Sequence, residues 1–259
     1  MKIKSLIIKL TRKSLIHFNS KLTKSFLRNS TIPPISYCGV DENSHNANSL
    51  KSAFTFTHLF SLLGHDDWPL YQDFLYSQNL VIIGGYRGKN LKRFLMKDSI
   101  ESIHIYEPIS SFAKDINEQD NRIKVFQEAV GETPGIRPFI LAEDYSCFAD
   151  IKRDGISDIG GEIEVQVVDL LTVFQRISGD WTLFMNCEGA EYEILRNLSK
   201  YMESDQFSLP KAIVFQSHKT SEIPSFALNH TRQLLSTQYI DLLTFDLCCD
   251  IWYLKKFFD

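Results

Sequence analysis

No stretch of this 259-residue chain approaches the roughly 18 consecutive apolar residues that a membrane-spanning helix requires. The apolar run over residues 6–10 is broken by Lys9 and followed by no small-residue cleavage site, so no signal peptide is expected. Cysteines are few and badly placed for cross-linking. The five (Cys38, Cys147, Cys187, Cys248 and Cys249) are odd in number, form no C-x-x-C, and have no histidine at zinc spacing. That pattern points to reduced thiols, a cytoplasmic setting and no structural metal. No internal repeat or low-complexity tract is present. With 44% hydrophobic and 23% charged residues the chain is globular rather than disordered or collagenous.

Acidic residues are missing altogether from positions 1–40, which hold eight basic side chains (Lys2, Lys4, Lys9, Arg12, Lys13, Lys21, Lys24, Arg28). The total of 28 basic and 32 acidic groups therefore conceals a remainder with 20 basic against 32 acidic, a net of −12. Such a remainder is unsuited to nucleic acid, whose phosphates call for positive charge across the binding face. Apolar residues from Ile3 to Phe26 recur at helical steps, and Pro33-Pro34 end the pattern. An N-terminal basic helix packed on its own domain is the favoured expectation; peripheral contact of residues 1–28 with an anionic inner membrane face is the alternative. Three segments follow: a basic extension over 1–40, a helical lead-in over 41–77 with helices at 50–63 and 70–77, and a domain over 78–259.

Within 78–259 short apolar runs alternate with amphipathic stretches. Strands are expected at 80–83, 102–106, 123–130, 163–168, 182–187, 212–215, 240–245 and 251–254, and helices at 90–97, 110–117, 170–177, 190–201 and 226–237. The alternation predicts an α/β fold, a doubly wound, mostly parallel sheet. The last two strands are expected to form an antiparallel pair at one edge.

Two elements carry chemistry. The first is a buried strand running into Gly84-Gly85-Tyr86-Arg87-Gly88, a turn whose glycines permit positive φ and let a ligand approach backbone amides. About twenty residues on, the next strand ends at Glu107-Pro108, where an acid accepts hydrogen bonds from the ribose of an adenosine-containing cofactor. The second is Asn186-Cys187-Glu188-Gly189-Ala190-Glu191, with two carboxylates three apart at a strand end. Either faces the ligand crevice, or both complement the dipole of the following helix.

Together with Glu128-Ala129-Val130-Gly131 and Val168-Asp169-Leu170-Leu171, these motifs resemble the FkbM family of S-adenosylmethionine-dependent methyltransferases over about residues 78–255. The resemblance implies a Rossmann-like class I methyltransferase sheet of seven strands, the last antiparallel. It also implies S-adenosyl-L-methionine as cofactor and O-methylation of a sugar, glycan precursor or related small molecule. Carried over, Gly84, Gly85, Tyr86 and Gly88 would wrap the methionine part of the cofactor. Glu107, with Pro108 beside it, would hold the ribose, Glu128 and Ala129 would line the adenine pocket, and Asn186 would complete the cofactor-binding set.

Four positions depart from the family pattern: Ile82 replaces an acid, Phe184 a lysine, Asn186 an aspartate and Gln216 a glutamate. They keep a second hypothesis open, a non-catalytic methyltransferase-like module; a nicotinamide-dependent dehydrogenase is disfavoured by the G-G-x-x-G spacing. For methyl transfer to a hydroxyl, His218 is the first candidate base and Glu188 the second. His104, alternating with isoleucines, reads as structural. Tyr86 and Tyr145 are candidate aromatic contacts, and the insertion over 142–158 a candidate lid. Asn186 and Gln216 leave too few carboxylates for a metal site.

Overall fold

The computed structural model describes residues 76–89, 91–117, 120–142, 145–151, 160–217, 225–245 and 249–257. The basic extension, nearly all of the lead-in, and His218 lie outside these residues. Tyr76 and Ser77, expected to close a helix, are not helical; the Ser77 amide instead donates to Thr182 Oγ1 at 3.1 Å.

The main sheet has seven strands. In chain order they are β1 (Asn79–Ile83), β2 (Ser102–Tyr106), β3 (Ile123–Phe126), β8 (Trp181–Met185), β9 (Ala212–Phe215), β10 (Tyr239–Phe245) and β11 (Cys249–Leu254). Their spatial order is β10-β11-β9-β8-β1-β2-β3. Pairing is parallel from β3 through β9, while β11 runs antiparallel to both of its neighbours, β9 and β10. This is the expected Rossmann-like arrangement, with β11 inserted between the fifth and sixth parallel positions. The central strands are apolar on both faces because both are covered. Val81, Ile83, Leu183 and Met185 join one core with helices α3 (Leu170–Arg176), α4 (Glu191–Ser199) and α5 (Ser225–Leu235). The alternate residues meet α1 (Leu91–Leu95), whose Phe94 packs edge-on against Phe184 at 5.7 Å. Helix α2 (Ser110–Asn117) places Ile116 beside Ile105.

A second sheet of four strands corrects the strand count. It is built from β4 (Ala129–Val130), β5 (Gly135–Ile140), β6 (Cys147–Phe148) and β7 (Glu162–Val168), in the order β4-β7-β5-β6. The single strand expected over 123–130 is two, one in each sheet, and the strand at 163–168 does not belong to the main sheet. Glu162, Glu164 and Gln166 are exposed while Val165 and Val167 are buried, the alternation of a strand with one wet face. Part of the candidate lid is also accounted for otherwise: Cys147 and Phe148 are buried as β6, paired with Phe139 and Ile140.

No helix among the described residues is long and apolar enough to cross a membrane.

Candidate active site

The strand order reverses at β1, between β2 and β8, and ligands of such sheets bind beyond the carboxyl ends of the strands at that point. Here the residue following each strand remains bonded to its neighbour. The amide of Glu107 donates to Phe126 O (3.0 Å), Gly84 to Tyr106 O (3.1 Å), Asn186 to Ile83 O (3.0 Å) and Gln216 to Met185 O (3.1 Å). Glu107, Gly84, Asn186 and Gln216 thus form a continuous row along the top of the sheet, drawn from four sequence segments.

Glu107 is the most constrained member of the row. It is 4% exposed; one carboxylate oxygen accepts from the Tyr86 amide at 2.8 Å and the other from the Ile109 amide at 2.9 Å. Burial carries its pKa from 4.5 to about 7, against the opposing pull of those two amides. The Tyr86 amide is presented by a left-handed backbone (φ 46°), unusual for a residue with a side chain. The Tyr86 ring packs edge-on against Phe112 at 4.8 Å, and Arg87, bound to Asp115 at 2.6 Å, lies over that same ring.

Close packing dictates the first two glycines. A β-carbon on Gly84 would lie 2.1 Å from Asn186 O, at a φ of +86°, and one on Gly85 would lie 2.3 Å from the Ile105 side chain. Gly88 closes the turn by donating to Gly85 O at 3.0 Å, with φ 75°. The glycine turn is therefore seated on β8 and β2, and its amides are fixed beside Glu107.

On the other side of Gly84, Asn186 has a buried Oδ1 with no hydrogen-bond partner. Glu188 is 7% exposed with φ 55°, and Gly189 follows at φ 112°. Glu191, 0% exposed, accepts from the amides of Cys187 (2.7 Å) and Gly189 (2.8 Å), so its carboxylate is turned back into its own loop. Burial pushes the Cys187 thiol well above its ordinary range, with the negative charges of Glu191, Glu188 and Glu193 acting in the same sense.

Glu128 and Ala129 stand apart from the row. The Glu128 carboxylate is bound by Arg176 of α3, whose guanidinium also lies over Phe126 at 4.5 Å, and Ala129 is buried in β4. Pro108 follows Glu107 directly and is half-buried. Tyr145 is 53% exposed beside the second sheet. His104 is buried with its ring edge-on to Phe126, and burial, with Lys124 and Arg176 nearby, lowers its pKa. Among the described residues no group of three or more His, Cys, Asp or Glu is arranged to hold a metal ion.

Two of the four departures are a matched pair. Ile82 and Phe184 are register partners across β1 and β8, and both are buried. An acid and a lysine at these positions would be neighbours across the strands; here an apolar pair occupies both places, and Phe184 packs edge-on against Phe94. Exchanging a buried ion pair for apolar side chains is often neutral or stabilising.

No family model matches the chain, and no curated protein matches it in sequence. Solved structures do. A methyltransferase FkbM from Methylobacillus flagellatus KT is similar at 16% identity and a TM-score of 0.43, over 68% of this chain and 43% of its own. Spermidine synthase from Thermotoga maritima is similar at 10% identity and a TM-score of 0.37, over 70% of this chain and 56% of its own. The methyltransferase domain of bacterial CtHen1 is similar at 12% identity and a TM-score of 0.36, over 81% of this chain and 100% of its own. The chain spans less than two thirds of the first two.

Sequence reasoning anticipated the row through the glycine turn, Glu107 and Asn186. It did not anticipate that Glu191 is spent on the backbone, nor that Arg176 engages Glu128. Both depend on contacts between segments far apart in the chain or on side-chain direction, and no motif signals either.

Proposed function

We propose that the chain is an S-adenosylmethionine-dependent O-methyltransferase of the FkbM type, acting on a hydroxyl of a sugar, glycan precursor or related small molecule. The observation that carries this is Glu107: a deeply buried carboxylate held between two backbone amides at a strand end, beside a glycine turn, at the switch point of the sheet. None of the cationic groups among the described residues forms an ion pair with it, so its partners are best supplied by a ligand rich in hydroxyl donors. The orphan Oδ1 of Asn186 supports the same fit, since a buried acceptor without a partner is paid for only when something donates to it.

Glu107 would receive the ribose hydroxyls, the Gly84–Gly88 turn and Asn186 the methionine part, and the segment around Glu128 and Ala129 would bound the adenine. Bound there, S-adenosylmethionine supplies an electrophilic methyl group. His218, or in its place Glu188 in the loop after β8, would take up the proton that the acceptor hydroxyl sheds. With Asn186 and Gln216 neutral, the row offers no cation for a phosphate, which favours an uncharged acceptor.

The test is transfer of label from tritiated S-adenosylmethionine to neutral mono- and oligosaccharide acceptors. Incorporation that disappears in Glu188→Ala or His218→Ala supports the reading. Tight cofactor binding with no transfer to any acceptor, sugar or otherwise, would instead favour the non-catalytic module.

A further inference from the structure

Glu191 shares a short segment with Glu188, yet its surroundings differ. Its carboxylate is wholly enclosed, and its two oxygens are taken by the amides that flank Glu188 on either side, those of Cys187 and Gly189. A carboxylate bonded to residues i−4 and i−2 draws the intervening chain into a loop, and Glu188, at the apex, adopts the left-handed conformation that only glycine takes without penalty. The same loop abuts the glycine turn: the Cα of Cys187 lies 3.3 Å from where a Gly84 β-carbon would sit. The third carboxylate of the segment, Glu193, is engaged by Arg137 at 2.7 Å.

The geometry points to Glu191 as a positioning residue, a clamp that imposes the strained backbone of Glu188 and seats the Asn186–Gly189 loop against the glycine turn. It never touches substrate. The competing role is charge alone, an acid at the head of α4 that offsets the helix dipole. The two differ in their need for reach, and only the clamp requires both amides to be met at once. The inference rests on the proposed cofactor site for its consequence, but not for its geometry.

Glu191→Asp separates them, because it keeps the charge and shortens the arm. Amide hydrogen exchange is followed at Cys187 and Gly189, and S-adenosylhomocysteine affinity is measured by calorimetry. The clamp predicts exchange at both amides at least about tenfold faster, with affinity about tenfold weaker, in both Glu191→Asp and Glu191→Gln. Wild-type exchange in Glu191→Asp would overturn the clamp and leave a dipole complement. Faster exchange with no change in the affinity of a binding-competent wild type would overturn its link to the site. If the wild type binds no S-adenosylhomocysteine, the cofactor reading falls, while the exchange comparison still decides the clamp. Should Glu191→Asp fail to fold, the comparison moves to Glu191→Gln in a Glu188→Gly background. Glycine holds a left-handed backbone unaided, so the double variant regains part of the denaturant resistance that Glu191→Gln loses; no regain would overturn the inference.

Discussion

Burial of the Glu107 carboxyl should make the folded chain less stable as the pH rises. The carboxyl is 4% exposed and has a pKa of about 7 against an ordinary 4.5. Between those values the folded chain retains a proton that the unfolded chain has released. Stability therefore falls as pH rises through this window, and the full cost is reached above about 7. At about 1.4 kcal/mol for each tenfold change in proton affinity, the full cost is about 3 kcal/mol, of which about 2.5 kcal/mol develops between pH 5 and pH 8. Glu107→Gln removes the titration but not the volume. One of the two amide hydrogen bonds becomes unfavourable in the variant, a penalty independent of pH. Urea unfolding of both proteins at pH 5 and pH 8 should show the variant gaining about 2–3 kcal/mol relative to wild type across that interval. Asp241, raised to about 6 by burial, titrates in both proteins and cancels. Equal pH dependence in the two proteins would refute the claim that burial of this carboxylate outweighs the two amides that bind it.

Three further perturbations follow from the same geometry. Gly84→Ala forces a β-carbon to within 2.1 Å of Asn186 O at a left-handed φ, and should cost at least about 2 kcal/mol in chemical denaturation while disordering the turn. Ile82→Glu and Phe184→Lys should each cost about 3–5 kcal/mol as single variants, by leaving a buried charge unpaired; the double variant should recover a measurable part of the sum, and strict additivity would contradict the cross-strand pairing. Native Cys187 should resist alkylation by iodoacetamide at pH 8 until urea unfolds the chain, as followed by peptide mass spectrometry.

Much of the main sheet was legible because its strands are buried on both faces and therefore read as short apolar runs. The strands at 102–106 and 212–215 begin and end where expected, and so does the helix at 110–117. The second sheet was not, although its signature is present: Glu162-Ile163-Glu164-Val165-Gln166-Val167 alternates, and alternation marks a strand wet on one side rather than a member of a covered parallel sheet. Strand β5 was hidden by Pro138, which lowers any expectation of a strand, and by the exposed Ile136. In the site, type and spacing identified Glu107 and the glycine turn. They could not show that Ile82 and Phe184 are neighbours across the strands, because register is a property of two strands and not of one sequence segment. Nor could spacing separate Glu188 from Glu191. Both lie near the end of β8, and only the direction of each side chain distinguishes a carboxylate buried at a left-handed turn from one folded back on its own loop.

Calorimetric titration of the purified full chain with S-adenosylmethionine, beside Glu107→Ala, tests the central claim most directly. The account predicts micromolar binding by the wild type and a loss of about a hundredfold or more in the variant, the equivalent of two charge-assisted hydrogen bonds. No binding by the folded wild type, or equal binding by the variant, would contradict it.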